Sequence, residues 1–366
     1  MNIILKKMDK YFIGVMTGTS ADALDGCLVS FDKGFKLIGT ESIDLFWDSK
    51  GTYKETYEKC IKAGYKDITD HPDMLRLDNA ILQTTCMLVD RLILNTNIEK
   101  KDIHAIGFSG QTMHHTYTES YQLGNPIALA NYRNIRVIAG FRQFDIKNGG
   151  MGAPLIPVFH KYLFAEKNKN KLIFNIGGIA NGTYLNSEKV IIGTDVGPGN
   201  CLLDLVASKK LGTPFDTDGI EASKGEINNE LLDALMKKEM AYPRADDKKA
   251  YYNLVPWLYD ENYKNTDMYN PLYNKEFLEI KTPSLLRTFS EYTAEKIKEF
   301  YIFCDCPHEV IFHGGGTMNI FLMELIKDKL GVEIKTTDNE IPSKFVEAAA
   351  FAYLAFLEKG EIFEPK

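Results

Sequence analysis

The chain has 366 residues, 45% hydrophobic and 25% charged, which is long enough for a sizeable core and most simply for two domains. A net charge of −7 with no basic block argues against broad nucleic-acid binding. No run approaches the ~18 apolar residues of a membrane span, and the N-terminus, Met1 to Lys10, lacks the apolar core and cleavage site of a signal peptide. Six cysteines are too sparse for a disulfide framework. Cys304-Asp-Cys306 lacks the second Cys or His pair that a zinc site needs. The expectation is a cytoplasmic protein with reduced thiols.

Along the chain, Tyr11 to Met16 alternates as a strand, Thr17 to Asp25 reads as a turn, and Gly26 to Phe31 as a returning strand, with a third strand from Phe35 to Ile43. Helical periodicity runs from Lys50 to Asn97, broken at Pro72, with an apolar face around Ile81, Cys86, Leu88, Val89 and Leu92. Ile103 to Phe108 is a buried-type strand ending in the turn Ser109-Gly-Gln-Thr112.

A second block repeats this order. Leu172 to Ile176 is a strand, Gly177 to Asn181 a turn, Gly182 to Leu185 a strand, and Val190-Ile-Ile192 another leading into Gly193-Thr-Asp-Val-Gly-Pro-Gly-Asn200. A Tyr-rich stretch from Ala241 to Lys275 has weak periodicity and reads as irregular. A helix from Pro283 to Tyr301 precedes the strand Glu309 to Phe312, and the last helix, Lys344 to Lys359, is apolar nearly all round and expected to be buried. The order predicts two similar α/β halves with a cleft between them.

Three glycine turns follow apolar strands: Thr17 to Asp25, Asn175-Ile-Gly-Gly-Ile-Ala-Asn181 and His313-Gly-Gly-Gly-Thr-Met-Asn319. Glycine allows close backbone approach, so successive N–H groups can point at an anion. Each alone fits a tight hairpin as well, and none is a Walker A loop or a dinucleotide fingerprint. Three together, at the ends of strands where open α/β sheets bind ligands, point to a nucleotide site. Asp195 sits at the head of a further glycine turn. It either caps the helix that follows or takes a proton, and Asn200 is the better-placed cap.

Gly14-Val-Met-Thr-Gly-Thr-Ser20, Gly149-Gly-Met-Gly-Ala-Pro-Leu-Ile-Pro157, Asn175 to Asn181 and Asp195-Val-Gly-Pro-Gly-Asn200 together resemble the anhydro-N-acetylmuramic acid kinases of peptidoglycan recycling, in the same order from Gly14 to Leu354. The resemblance implies two actin-like ATPase (ribonuclease H-like) domains with an interdomain cleft, the first formed by residues 1–130 and 341–366 and the second by 131–340. It implies use of ATP and Mg2+ to phosphorylate O6 of 1,6-anhydro-N-acetylmuramic acid while water opens the anhydro bridge. By that resemblance Gly18, Thr19, Ser20, Ala21, Asp22, Ala23, Leu24 and Asp25 hold the ATP phosphates. Gly177 and Gly178 form a second phosphate clamp, Gly314, Gly315, Gly316 and Asn319 lie near the adenosine, and Asp195 is the catalytic aspartate. Magnesium is expected with the nucleotide rather than at a protein site of its own.

Gln111, Thr112 and Asn200 are expected on the sugar side, with His114 or His115 able to join them. Arg142 and Asp145 match the family's Phe-Arg-x-x-Asp; Arg142 would meet the lactyl carboxylate or pair with Asp145. The resemblance also implies a homodimer. The chain departs from the family where Ala21 and Ala23 replace a Leu and a Gly. Ser109 replaces a His, Gly140 an Asp, Met318 an Arg, and Ala245 to Ala250 a Lys-Ser-Thr-Gly-Arg-Glu segment. Ala23 is the costliest if that position needs positive φ. These changes leave two further readings open: a kinase for another 1,6-anhydrosugar resembling levoglucosan kinase, or a catalytically weak nucleotide-binding regulator.

Overall fold

A computed structural model describes residues 10–18, 21–45, 52–237 and 279–366. Thr19, Ser20, the Tyr-rich stretch and the Ala245 to Ala250 segment therefore lie outside the described residues. The chain divides into two compact units, Met1–Phe159 with Phe345–Lys366, and His160–Lys344. The expected boundary after residue 130 moves, because residues 131–159 still build the first unit.

In the first unit, strands β1 (Tyr11–Thr17), β2 (Ala23–Ser30) and β3 (Lys36–Asp44) form the expected meander. Helices α1 (Tyr53–Lys62) and α2 (Pro72–Thr96) follow, with Pro72 at the first helical position, where a missing N–H costs nothing. Then come β4 (Ile103–Phe108), the hairpin of β5 (Gln111–His115) and β6 (Ser120–Leu123), α3 (Pro126–Arg133), β7 (Val137–Ala139) and α4 (Phe141–Lys147). The turn expected over 109–112 is thus shorter, and Gln111 opens a strand. Parallel pairing of β7 with β4 carries the first sheet past residue 130.

Helix α5 (Pro157–Phe164) leads into the second unit, where β8 (Asn170–Ile176), β9 (Ile179–Asn186) and β10 (Lys189–Pro198) form a second meander. The short helices α6 (Cys201–Val206), α7 (Ile220–Ser223) and α8 (Asn229–Met236) precede α9 (Thr282–Phe303), β11 (Glu309–His313), α10 (Ile320–Leu330) and β12 (Ile334–Thr336). The chain ends in α11 (Val346–Phe356) and β13 (Glu361–Phe363), which return to the first unit.

The two sheets have one plan. The first runs β13-β7-β4-β1-β2-β3 and the second β10-β9-β8-β11-β12. In each, a three-strand antiparallel meander is extended by two strands parallel to its first member. The repeat expected from turn chemistry is therefore a repeat of topology. The edge strand β13, antiparallel to β7, has no counterpart in the second sheet and escapes the sequence pattern because it is only three residues long.

Strand alternation decides which helix covers which face. A side chain at Gly26 would meet Leu88 of α2, whereas one at Gly14 would come 1.8 Å from the carbonyl oxygen of Ala348 on α11. Val15 pairs with Gly26 and Gly14 with Cys27, so α2 and α11 lie on opposite faces of the first sheet. Gly14 lets α11 lie directly on β1, and α11 is buried along most of its length, as its apolar sequence requires. In the second sheet, Phe174 and Phe312 pack with Phe300 of α9 on one face, while Ile173, Leu185 and Ile311 pack with Phe164 of α5 on the other.

Candidate active site

In the first unit the glycine turn is braced from the β5 hairpin. Gln111 is fully buried: its Oε1 accepts from the Thr17 hydroxyl at 3.0 Å and its Nε2 donates to the Gly18 carbonyl at 3.1 Å. Ser109 Oγ accepts from the Thr17 N–H at 3.4 Å and donates to the Gly110 carbonyl. The Ala21 N–H donates to the Gly18 carbonyl at 3.2 Å. Both ends of the Gln111 amide are therefore engaged within the protein. Thr112 is half-buried, and its carbonyl accepts from the Tyr57 hydroxyl at 2.7 Å.

The strain expected at Ala23 sits two residues earlier. Ala21 has φ 51 and is fully buried, while Ala23 opens β2 in extended conformation. Leu24 belongs to the first core and has no exposed side chain to offer a ligand. Asp22 is exposed and its carboxylate accepts from the Ala23 N–H; Asp25 is half-buried and accepts from the Ser42 hydroxyl at 2.7 Å.

Arg142 and Asp145 act on the same loop. The Asp145 carboxylate accepts from the backbone N–H groups of Met151 and Gly152, and Arg142 donates to the Gly152 carbonyl at 2.9 Å. Neither is a partner of the other in these bonds: together they hold the turn around 149–152. His114 bonds Glu119 and His115 bonds Ser120 across the β5–β6 hairpin. Burial, helped by the positive charge of Arg142, pushes His115 down to about 3 and keeps its ring neutral.

One departure from the family pattern has a local reason. Gly140, at the start of α4, has φ 64, a conformation that an L side chain enters at a cost. Met318 is 75% exposed and lies outside either core.

In the second unit, the motifs Asn175 to Asn181 and Asp195 to Asn200 are two halves of one construction. The N–H groups of Gly199 and Cys201 donate to the Gly178 carbonyl, and that of Asn200 to Gly177 at 2.8 Å. A Cβ on Gly199 would lie 2.2 Å from the Gly177 carbonyl oxygen, so only glycine permits this junction. Asn200 stands at the N-cap position of α6, but its side chain makes no capping bond. It reaches the Ile176 carbonyl at 3.5 Å instead. The capping role expected of it is thereby corrected.

Asp195 lies within β10 rather than at the head of a turn, directly opposite Asn181 of β9. The register shifts between Asp195 and Gly197, leaving Val196 as an extra residue. Such a bulge twists the strand locally and re-aims the side chains beside it. The third glycine turn begins at Gly314, whose N–H donates to the Ser343 carbonyl. Gly316 is buried against Ile176, Gly315 is exposed, and Asn319 caps α10 by accepting from the Leu322 N–H at 3.0 Å.

Sequence reasoning missed a buried polar cluster behind this turn. His160 of α5 bonds His313 at 2.8 Å and the Thr183 hydroxyl at 2.8 Å. Burial, and for His160 the neighbouring ring, hold both imidazoles well below their usual range. Their separation by 153 residues leaves no local signal in the sequence.

Each unit is thus an α/β unit built on a three-strand meander extended by parallel strands, with a glycine turn where its first strand ends. The family model described as anhydro-N-acetylmuramic acid kinase matches residues 10–362. Relatives bearing that name are 33% identical over 355 residues in Shewanella amazonensis and 34% identical over 361 residues in Shewanella oneidensis. A third, from Shewanella denitrificans, is 35% identical over 373 residues. Each alignment covers 94% of this chain and 90% or 91% of the relative. The chain belongs to the anhydro-N-acetylmuramic acid kinase family.

Proposed function

We propose that the protein is an ATP-dependent kinase that opens the 1,6-anhydro ring of anhydro-N-acetylmuramic acid with water and phosphorylates O6. The products are N-acetylmuramic acid 6-phosphate and ADP, and the setting is cytoplasmic peptidoglycan recycling. The observation that carries this reading is the family match across residues 10–362.

The chemistry suits the residues. Attack of water on the anomeric carbon needs a base, and in this reading the Asp195 carboxylate takes the proton. As the C1–O6 bond breaks, O6 becomes the nucleophile for the γ-phosphoryl group, whose charge calls for preorganised backbone donors. In this reading the turn from Gly18 to Asp25 and the Gly177–Gly178 turn serve the phosphates, and Gly314 to Gly316 with Asn319 the adenosine. Gln111, Thr112, Arg142, Asp145 and Asn200 serve the sugar side, Gln111 and Asp145 by holding the surrounding backbone.

Magnesium would be carried by the nucleotide. Magnesium dehydrates reluctantly and keeps phosphate and water as its main ligands. In this reading Asp25 and Asp195, both half-buried, would bear on its hydration shell. A bound magnesium ion supplies charge neutralisation on the phosphates. No described helix is long and apolar enough to cross a membrane. A homodimer is part of the same family-based reading and is checked by sedimentation.

The test is ADP release with ATP, magnesium and either anhydro-N-acetylmuramic acid or levoglucosan. Turnover confined to the first supports the proposal. Turnover confined to the second moves the substrate to a smaller anhydrosugar, a reading favoured by the Arg142 guanidinium's bond to the Gly152 carbonyl. Nucleotide binding without turnover on either sugar replaces the kinase with a regulator.

A further inference from the structure

The face of the second sheet away from α9 changes character along its strands. Ile173, Leu185 and Ile311 lie under α5, followed by Thr183 and His313 bonded to His160. Beyond these the register lines up His313 with Asn175, Asn175 with Asn181, and Asn181 with Asp195. Residues paired in register share a face. The opposite face is fixed independently, because side chains at Gly182 and Gly197 would meet Phe300 and Lys296 of α9. A polar row therefore crosses the sheet and ends on Asp195.

Asn175 is 3% exposed and Asn181 half-buried, yet the side-chain oxygens of both are buried without a hydrogen-bond partner among the described residues. An unpaired buried acceptor is costly, and two neighbouring ones on one row mark a place where a donor belongs; Thr194 Oγ1 and His313 Nδ1 of the same sheet are likewise buried without a partner among the described residues.

We propose that the Asn181 amide oxygen is the second acceptor for the water that attacks the anomeric carbon, with Asn175 as the positioning residue behind it. This rests on the kinase reading above. A nucleophilic water has two protons to place. One passes to the Asp195 carboxylate; the other stays on the new C1 hydroxyl and is held by Asn181 Oδ1, leaving a lone pair free for C1. The water oxygen–C1 bond forms, C1–O6 breaks, O6 takes the γ-phosphoryl group and ADP leaves. Cross-strand partners stand about 5 Å apart at Cβ, so one water can meet both side chains once the Asn181 oxygen, buried in this structure, turns toward Asp195. The bulge after Asp195 turns its carboxylate relative to the flat sheet.

The experiment compares wild type, Asn181→Ala and Asn181→Asp with anhydro-N-acetylmuramic acid, ATP and magnesium, measuring kcat, both KM values, the pH profile and ATP-induced thermal stabilisation. Asn181→Ala should lower kcat roughly 100-fold with both KM values within about threefold, the size seen when one oriented catalytic hydrogen bond is lost. Asn181→Asp keeps an acceptor but adds a like charge beside Asp195, so it should retain turnover with the acid limb of kcat/KM moved to higher pH. Asn181→Ala with kcat within threefold of wild type overturns the proposal, and so does an unmoved acid limb in Asn181→Asp. If Asn181→Ala does not fold, the pH profile of Asn181→Asp decides alone. Wild type without turnover on any anhydrosugar overturns the kinase reading itself, and this assignment with it.

Discussion

Thr17 and Gln111, 94 residues apart in sequence, share a buried 3.0 Å hydrogen bond that ties the first glycine turn to the β5–β6 hairpin. The same amide holds the Gly18 carbonyl, so the start of the glycine turn depends on a side chain from another element. Gln111→Leu leaves the Thr17 hydroxyl buried and unpaired, with a stability loss of about 1–3 kcal/mol expected. Urea denaturation measures it, and ATP affinity should fall in parallel. Unchanged stability would show that the brace contributes nothing.

The junction between the two glycine motifs of the second unit should be intolerant of any side chain. Gly199→Ala would drive a methyl into the Gly177 carbonyl, so the backbone must shift. ATP-induced thermal stabilisation should disappear in this variant while circular dichroism still reports a folded chain. Gly140→Ala makes the contrast. Its Cβ would stand 3.8 Å from Glu361, in ordinary contact, so only the left-handed conformation opposes it. A loss of about 1 kcal/mol is expected there, with ATP stabilisation intact.

Acid should destabilise the second unit through its buried histidines. The folded-state values of His160 and His313 lie below the unfolded value, His313 at about 3. Between about pH 6.5 and 3 the unfolded chain binds protons that the folded chain refuses, so stability falls as pH drops through that window. Above it the two states are equally unprotonated at these rings and the effect vanishes. The slope is about 1.4 kcal/mol per pH unit for each such ring at full effect. Denaturation at pH 7 and pH 5.5 measures it, and His313→Gln should flatten the dependence. An unaltered slope in that variant would place the acid sensitivity elsewhere.

Asn319 separates capping from nucleotide contact. Asn319→Ala removes the cap of α10 and should cost about 1 kcal/mol, whereas Asn319→Ser keeps a capping oxygen and most of the stability. If Asn319 also meets the adenosine, both variants lose ATP affinity. If it only caps, Asn319→Ser binds ATP as wild type does.

Local pattern made much of this molecule legible. The apolar runs ending at Met16, Phe108, Ile176 and Phe312 are strands because each buries both faces, and Pro72 starts a helix because proline suits that position. What stayed hidden depends on partners remote in sequence. Asp195 reads as a turn residue because glycines surround it, yet β9 pairs with the strand on through Pro198. Asn200 has the residue type of a cap, but its backbone is already fixed by Gly177 and its side chain turns to Ile176. Strain was expected at Ala23 and falls on Ala21, since the turn closes earlier than the motif spacing suggests. Of the sugar-side candidates, Gln111 and Asp145 proved to hold backbone, a role that residue type alone does not distinguish from ligand binding.

The most direct test of the account is the turnover of Asp195→Asn beside wild type, with anhydro-N-acetylmuramic acid, ATP and magnesium, while ATP-induced thermal stabilisation is followed on the same samples. The account predicts ADP and sugar phosphate from wild type, a loss of roughly 1000-fold or more in the variant, and the same ATP stabilisation in both. A variant that keeps substantial turnover would contradict the role of Asp195 as the base.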